Sequence, residues 1–174
     1  MKHIVAEDRN GLAKLFTGIG VEVGVAAGEY SKIILDNGVE KLYGIDPYKR
    51  LPDYYDYMKE STFRKLYEDT KKRLRDYPNF FLILETSEEA LKRFDDNSLD
   101  FVYIDGNHNY ENVLFDVTEW TKKVKPGGIV AGDDYVKRKG QDKYYDVIRA
   151  VDEYVGDRDL YIYAEGRSNW MFRK

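Results

Sequence analysis

The chain has 174 residues, about one typical domain, and can bury a core without disulfides or metal staples. Its 28 Lys+Arg against 32 Asp+Glu give a formal net charge of −4, which disfavours a broadly basic surface for nucleic acid. The absence of cysteine excludes disulfides, thiolate metal sites and cysteine nucleophiles, and no apolar run approaches the ~18–20 residues of a membrane span.

Met1 to Glu7 has no basic region followed by an apolar stretch, so no signal peptide is expected and a cytoplasmic domain is predicted. Val5–Phe16 reads as a leading helix, and Gly20–Val25 as the first strand. Tyr30–Asn37 is a helix stopped by Gly38, and Lys41–Asp46 is the second strand. Residues 47–78 are long for a crossover. An irregular tyrosine-rich stretch there leads into a charged helix over Ser61–Tyr77, and the segment reads either as a surface loop or as a lid over a pocket. Phe80–Glu85, Phe101–Asp105 and Gly128–Gly132 are the next strands. Helices over Ser87–Phe94 and Asn109–Val124 fall between them, the second with Val113, Val117, Trp120 and Val124 on one apolar face. A helix over Lys143–Val155 follows. The runs Asp159–Ala164 and Asn169–Arg173, joined by Glu165-Gly166-Arg167-Ser168, read as a hairpin. Near-continuous apolar strands alternating with helices predict an α/β fold with one doubly wound, mainly parallel sheet. Helices cover both faces, and an antiparallel hairpin ends the sheet within a single domain over residues 1–174.

In such sheets ligands bind outside the carboxyl ends of the strands. The first strand runs into Glu22-Val23-Gly24-Val25-Ala26-Ala27-Gly28, where small residues permit a tight turn and close approach of a ligand. An ordinary glycine-rich turn is the bland alternative. The GxGxxG spacing is not met, and Glu22 favours a cationic or amine-bearing ligand over a phosphate. Asp46, 22 residues after Gly24, is placed to accept ribose hydroxyls, although Asp-Pro also starts turns. Thr86 and Ser87 follow the third strand, where Ser87 can cap a helix, contact a base, or do both.

Asp105, Asp133 and Asp134 leave adjacent strand ends. Three close carboxylates repel unless protons or a cation sit among them, and an all-oxygen set suits Mg²⁺, Mn²⁺ or Ca²⁺. Asp105 can alternatively cap its own loop by binding the amides of Asn107 and His108. His108, three residues past Asp105, is a candidate general base; His3 reads as a surface residue.

The segments VEVGVAAGEYS (21–31), YGIDPY (43–48), DFVYIDGNHNYENVLFDV (100–117) and VKPGGIVAGDDY (124–135) resemble those of class I S-adenosylmethionine-dependent methyltransferases. The closest resemblance is to the methyltransferase family 24-like group with its Asp-Gly-x-His-x-Tyr motif, related to metal-dependent O-methyltransferases. That resemblance implies S-adenosylmethionine as cofactor. Gly24 and Gly28 would lie under its methionine part with Glu22 nearby, Asp46 on the ribose, and Thr86-Ser87 beside the adenine. It also implies a divalent metal such as Mg²⁺ on Asp105, Asp133 and Asp134. The reaction implied is O-methylation of a small hydroxylated metabolite or sugar, with Asp105 and His108 catalytic. The catechol branch often carries Asp-Asn where this chain has Asp133-Asp134.

The expected partner is a small-molecule substrate, with neither nucleic acid nor membrane favoured and a homodimer open. The rival readings are a nicotinamide-dependent oxidoreductase and a catalytically silent cofactor-binding subunit. A nucleic-acid methyltransferase using Lys137-Arg138-Lys139 is a third. Eight of the 16 tyrosines (48, 54, 55, 57, 110, 135, 144 and 145) fall where the expected pocket opens, and predict a substrate-facing wall.

Overall fold

A computed structural model describes residues 1–51, 59–136, 143–165 and 168–174, with side chains omitted at 143–145. The strands are β1 (Lys2–Val5), β2 (Ile19–Val23), β3 (Lys41–Ile45), β4 (Phe80–Ile83), β5 (Leu99–Ile104), β6 (Val124–Gly132), β7 (Leu160–Tyr163) and β8 (Asn169–Arg173). The helices are α1 (Arg9–Ala13), α2 (Glu29–Asp36), α3 (Glu60–Leu74), α4 (Ser87–Ala90), α5 (Tyr110–Lys123) and α6 (Lys143–Val155).

All eight strands form one sheet in the order β1-β7-β8-β6-β5-β2-β3-β4. β2 to β6 pair in parallel, whereas β8 runs antiparallel to both β6 and β7. The expected mainly parallel sheet with a closing hairpin is therefore present; residues 166 and 167 of its turn lie outside the described set. From β2 the chain winds outward through β3 to β4, then returns to place β5 on the other side of β2. This reversal opens a crevice between the carboxyl ends of β2 and β5, where a doubly wound sheet offers a ligand its seat.

Side-chain alternation along β5 shows how the sheet is covered. Val102 and Ile104 join one core with Val113, Val117 and Trp120 of α5 and Val147 and Val151 of α6. Phe101 and Tyr103 join the other, with Leu12 of α1, Ile34 of α2 and Leu74 of α3. A strand buried on both faces must be apolar on both, hence its unbroken apolar run. Each fully buried aliphatic or Phe side chain contributes about 1.5–3 kcal/mol of transfer free energy.

The leading helix is shorter than expected. Residues 2–5 instead form β1, paired in parallel with β7 from Lys2↔Leu160 to Val5↔Tyr163. Asp8 then caps α1, its Oδ1 accepting the amides of Asn10 (2.9 Å) and Gly11 (3.3 Å). The pairing partner lies some 158 residues away in sequence, so tertiary contact overrides a local helical pattern. The Ser87–Phe94 helix also divides, into α4 and a 3-10 turn over Leu91–Arg93.

Candidate active site

The turn between β2 and α2 needs glycine in two places. Gly24 has φ +87, and a Cβ there would lie 2.1 Å from the carbonyl oxygen of Asp105. Only glycine lets the β2 and β5 loops meet this closely. Gly28 caps α2 in the left-handed region at φ 70. Between them, Ala26 also takes a positive φ of 49. This strained turn aims the amides of Val25 (3.1 Å) and Ala26 (3.0 Å) at Oδ2 of Asp46, while Oδ1 takes the amide of Tyr48 (2.8 Å). Burial raises the Asp46 carboxyl, with the three amides opposing.

The glycine turn is also braced from outside by the loop after β3 and by α3. The hydroxyls of Tyr48 and Thr70 approach the Ala26 carbonyl to 2.9 and 2.8 Å, and Arg73 donates to the Ala27 carbonyl. Tyr48 was expected at a substrate-facing wall and not in this role, while Thr70 and Arg73 read as ordinary residues of a charged helix.

A cavity of about 570 Å³ opens above the β2–β5 crevice, a size suited to a nucleoside-bearing ligand. Gly24, Ala26, Asp46, Thr86, Ser87 and Asp116 are among its walls, and Leu51, Phe63, Leu66 and Phe115 add apolar surface. Of the expected cofactor residues, Gly24, Asp46, Thr86 and Ser87 thus come together around one space. Gly28 does not line it and serves the helix cap. Glu22 does not line it either. It is 1 % exposed beneath the turn, accepts the Ser31 hydroxyl, and is pushed up to about 8 chiefly by burial, with Asp105 and Asp46 adding to the effect.

Thr86, rather than Ser87, caps α4. Its Oγ1 accepts the Glu89 amide at 3.3 Å, and Glu89 returns a carboxylate to the Thr86 amide at 2.9 Å. Ser87 is thereby free to donate its hydroxyl to Oδ1 of Asp116 (2.5 Å) while accepting from Nε1 of Trp120 (2.7 Å). Asp116, 4 % exposed, is raised to about 7 by burial against the opposing Ser87 bond. A carboxylate sharing a helix face with valines was the overlooked signal.

At the other end of the crevice, Asp105, His108 and Asp134 each offer one ligand atom, all within 4.8 Å of one another. His108 Nε2 is 2.9 Å from Asp134 Oδ2 and 3.6 Å from Asp105 Oδ1. Burial pulls the imidazole pKa down, but hydrogen bonding and charge from Asp105 and Asp134 outweigh it and push His108 up to about 9. Asp134 sits at φ 59, a left-handed conformation that turns its carboxylate into the cluster. Asp133 is not among the three residues of this cluster; it is 3 % exposed, and its Oδ1 accepts the amide of Asp134 at 2.8 Å. The set brought together is therefore two carboxylates and an imidazole, where three carboxylates were expected. Oxygen and nitrogen donors at this spacing fit a divalent cation.

The expected tyrosine wall is not formed by its described members. Tyr48 is buried on the glycine turn, Tyr110 donates to Glu153 (2.5 Å), and Tyr135 donates to Asp152 (2.5 Å). Tyr54, Tyr55, Tyr57 and the side chains of Tyr144 and Tyr145 lie outside the described residues, as do residues 52–58 of the expected lid and Lys137–Lys139. Among the described residues no helix is long and apolar enough to cross a membrane.

Residues 19–135, from the start of β2 through the acidic cluster, match the family model of a methyltransferase domain. The chain belongs to this methyltransferase family. An uncharacterised protein of Acanthamoeba polyphaga mimivirus is 26 % identical over 141 residues, which are 79 % of this chain and 59 % of that protein. The chain thus spans well under two thirds of that relative's length. Solved structures share the fold at low identity. A caffeoyl-CoA O-methyltransferase-like protein of Staphylococcus aureus superposes with TM-score 0.67 at 13 % identity, over 95 % of this chain and 81 % of that one. TomG of Streptomyces achromogenes, an O-methyltransferase of tomaymycin synthesis solved with S-adenosylmethionine, gives 0.62 at 16 %, over 93 % and 75 %. The spermidine synthase of Thermotoga maritima gives 0.62 at 15 %, over 97 % and 57 %. The methyltransferase family expected from the glycine turn and the Asp-Gly-x-His-x-Tyr segment is therefore the one found, on the fold expected.

Proposed function

We propose that this methyltransferase transfers a methyl group from S-adenosylmethionine to a hydroxyl of a small metabolite, assisted by a divalent cation on Asp105, His108 and Asp134. The observation that carries the reading is one crevice with two ends: a glycine-floored cavity of about 570 Å³ on one side and a cluster of two carboxylates and an imidazole on the other. Gly24, Asp46, Thr86 and Ser87 would hold the cofactor. Two O-methyltransferases among the structural neighbours favour oxygen as the acceptor atom.

When bound, S-adenosylmethionine supplies an electrophilic methyl on a sulfonium, and a divalent cation weakens the hold of the acceptor hydroxyl on its proton. The acceptor oxygen forms a C–O bond as the C–S bond breaks, and the hydroxyl proton must leave. The His108 ring, raised to about 9, is an imidazolium at neutral pH and must lose its proton before it can ligate the cation, so the proton of the acceptor hydroxyl would leave to solvent. Neutralising the field of Asp105 and Asp134 would return the ring toward its ordinary range and favour the neutral form that can act as a ligand. Asp105 and Asp134 position the cation and set that balance, and the floor and walls of the crevice align the two reactants.

The test is incubation of the protein with methyl-labelled S-adenosylmethionine and a small-molecule extract, with and without Mg²⁺, read by mass spectrometry. A labelled small hydroxylated product that appears only with the cation is expected. Label that arrives on nitrogen or carbon, or arrives equally with chelator present, contradicts the proposal.

A further inference from the structure

β4 closes one side of the sheet, and among the described residues no strand pairs with its outer edge. Edge strands are normally guarded by a lysine, a proline or a bulge. The opposite edge, β1, carries Lys2, which reaches Asp152 at 2.8 Å. Between Asn79 and Glu85 the chain reads Phe-Phe-Leu-Ile-Leu, with no charge, proline or glycine. Phe81 is 43 % and Leu84 53 % exposed, although both are large and apolar.

The backbone of this edge is complementary to itself. The amides of Leu42 and Asp46 donate to the carbonyls of Asn79 (3.0 Å) and Ile83 (3.1 Å), so the odd-numbered residues of this strand face β3. The even-numbered ones, Phe80, Leu82 and Leu84, therefore turn their backbone polar groups outward. The Phe80 amide is spent on the Tyr77 carbonyl at 3.1 Å. The amides of Leu82 and Leu84 and the carbonyls of Phe80 and Leu82 remain along the edge. A second copy laid antiparallel, with the two-fold axis at Leu82, joins these groups in four hydrogen bonds. Leu82 bonds Leu82 in both directions, and each Leu84 amide meets the Phe80 carbonyl of the other copy.

The side chains and charges favour the same register. It sets Phe81 beside Ile83 and Leu84 beside Phe80 of the second copy, so each exposed apolar side chain gains an apolar neighbour. Residues 71–76, just before the strand, hold four Lys/Arg and one Asp; residues 85–90, just after it, hold three Glu and no base. An antiparallel pair sets base against acid at both ends, whereas a parallel pair sets like against like.

We propose that β4 is a dimerisation edge, where two copies of this chain pair antiparallel about Leu82 and join their eight-stranded sheets into one. The contact is a short strand edge, so a dissociation constant of about 1–100 μM is expected, as for interfaces at the small end of the size range.

Sedimentation velocity of the full chain, from about 1 to 300 μM, tests this. The wild-type chain is expected to pass from monomer to dimer across that range. Leu82→Pro removes an outward amide but no bond to β3, and Leu84→Lys puts a charge on the edge. Each is expected to raise the dissociation constant about tenfold or more, while circular dichroism at low concentration shows an unchanged fold. Should Leu82→Pro not fold, Leu84→Lys, whose site is exposed, carries the test. A wild-type chain that stays monomeric throughout overturns the proposal. So does a dimer that a folded variant leaves as tight as before, or assembly that continues beyond the dimer. None of these outcomes touches the cofactor reading.

Discussion

The Nε2 of His108 lies 2.9 Å from Oδ2 of Asp134, a residue 26 positions away whose own backbone is held at a positive φ of 59. The contact ties the loop after β5 to the end of β6 and makes the imidazole part of the acidic cluster. Without a cation the ring carries a proton up to about 9. A cation that takes the ring nitrogen must displace that proton. Mn²⁺ affinity, followed by paramagnetic resonance, is therefore expected to strengthen as pH rises from 6 toward 9, at up to about tenfold per unit for one proton released. His108→Ala is expected to bind more weakly and to lose that part of the slope.

Tyr135 adjoins Asp134, and its hydroxyl donates to Oδ1 of Asp152, whose Oδ2 takes the Lys2 ammonium at 2.8 Å. This link from β1 through α6 fixes the chain next to the cluster. Tyr135→Phe is expected to weaken Mn²⁺ binding about five- to tenfold, the worth of roughly one hydrogen bond, while leaving S-adenosylhomocysteine binding within twofold. Paired titrations with the metal and with the nucleoside check it.

Gly24→Ala puts a side chain where the Asp105 carbonyl lies and asks alanine to hold φ +87. A loss of about 1–3 kcal/mol in urea unfolding is expected from the backbone strain alone. The crevice floor must also shift, so S-adenosylhomocysteine affinity should fall at least about tenfold. Near wild-type values in both would mean that the two loops do not meet as described.

Glu22 makes stability depend on pH. Its carboxyl is raised from an ordinary 4.5 to about 8 by burial, so between those values the folded state holds a proton that the unfolded state has released. Stability from this group is complete below the unfolded pKa and is lost as pH rises through about 8, with a slope of at most about 1.4 kcal/mol per unit. Glu22→Gln, which can keep the Ser31 bond, should flatten the decline in chemical denaturation measured at pH 5, 6, 7 and 8.

What the sequence made legible was periodic or punctuated. Two-sided apolar strands such as Phe101–Ile104, and the Gly24 turn, announce a buried parallel sheet and its ligand end before any coordinates. β1 was not legible, because Lys2–Val5 is a strand only through its pairing with β7. The cluster was half legible. Asp105 and Asp134 were anticipated as ligands and His108 as a base beside Asp105, but that His108 joins those two carboxylates depends on how the loops after β5 and β6 meet, which residue spacing does not encode. Asp116 stayed hidden because a helical Asp reads as a solvated face until the fold buries it under Ser87.

The central claim is that one crevice holds S-adenosylmethionine against Gly24 with an acceptor site at Asp105, His108 and Asp134. A crystal structure with S-adenosylhomocysteine and Mn²⁺ tests it most directly. The account predicts the amino-acid moiety over Gly24, the base against Thr86 and Ser87, and anomalous density for manganese among Asp105, His108 and Asp134. Nucleoside bound outside this crevice, or manganese on Asp133 and not on His108, would contradict it.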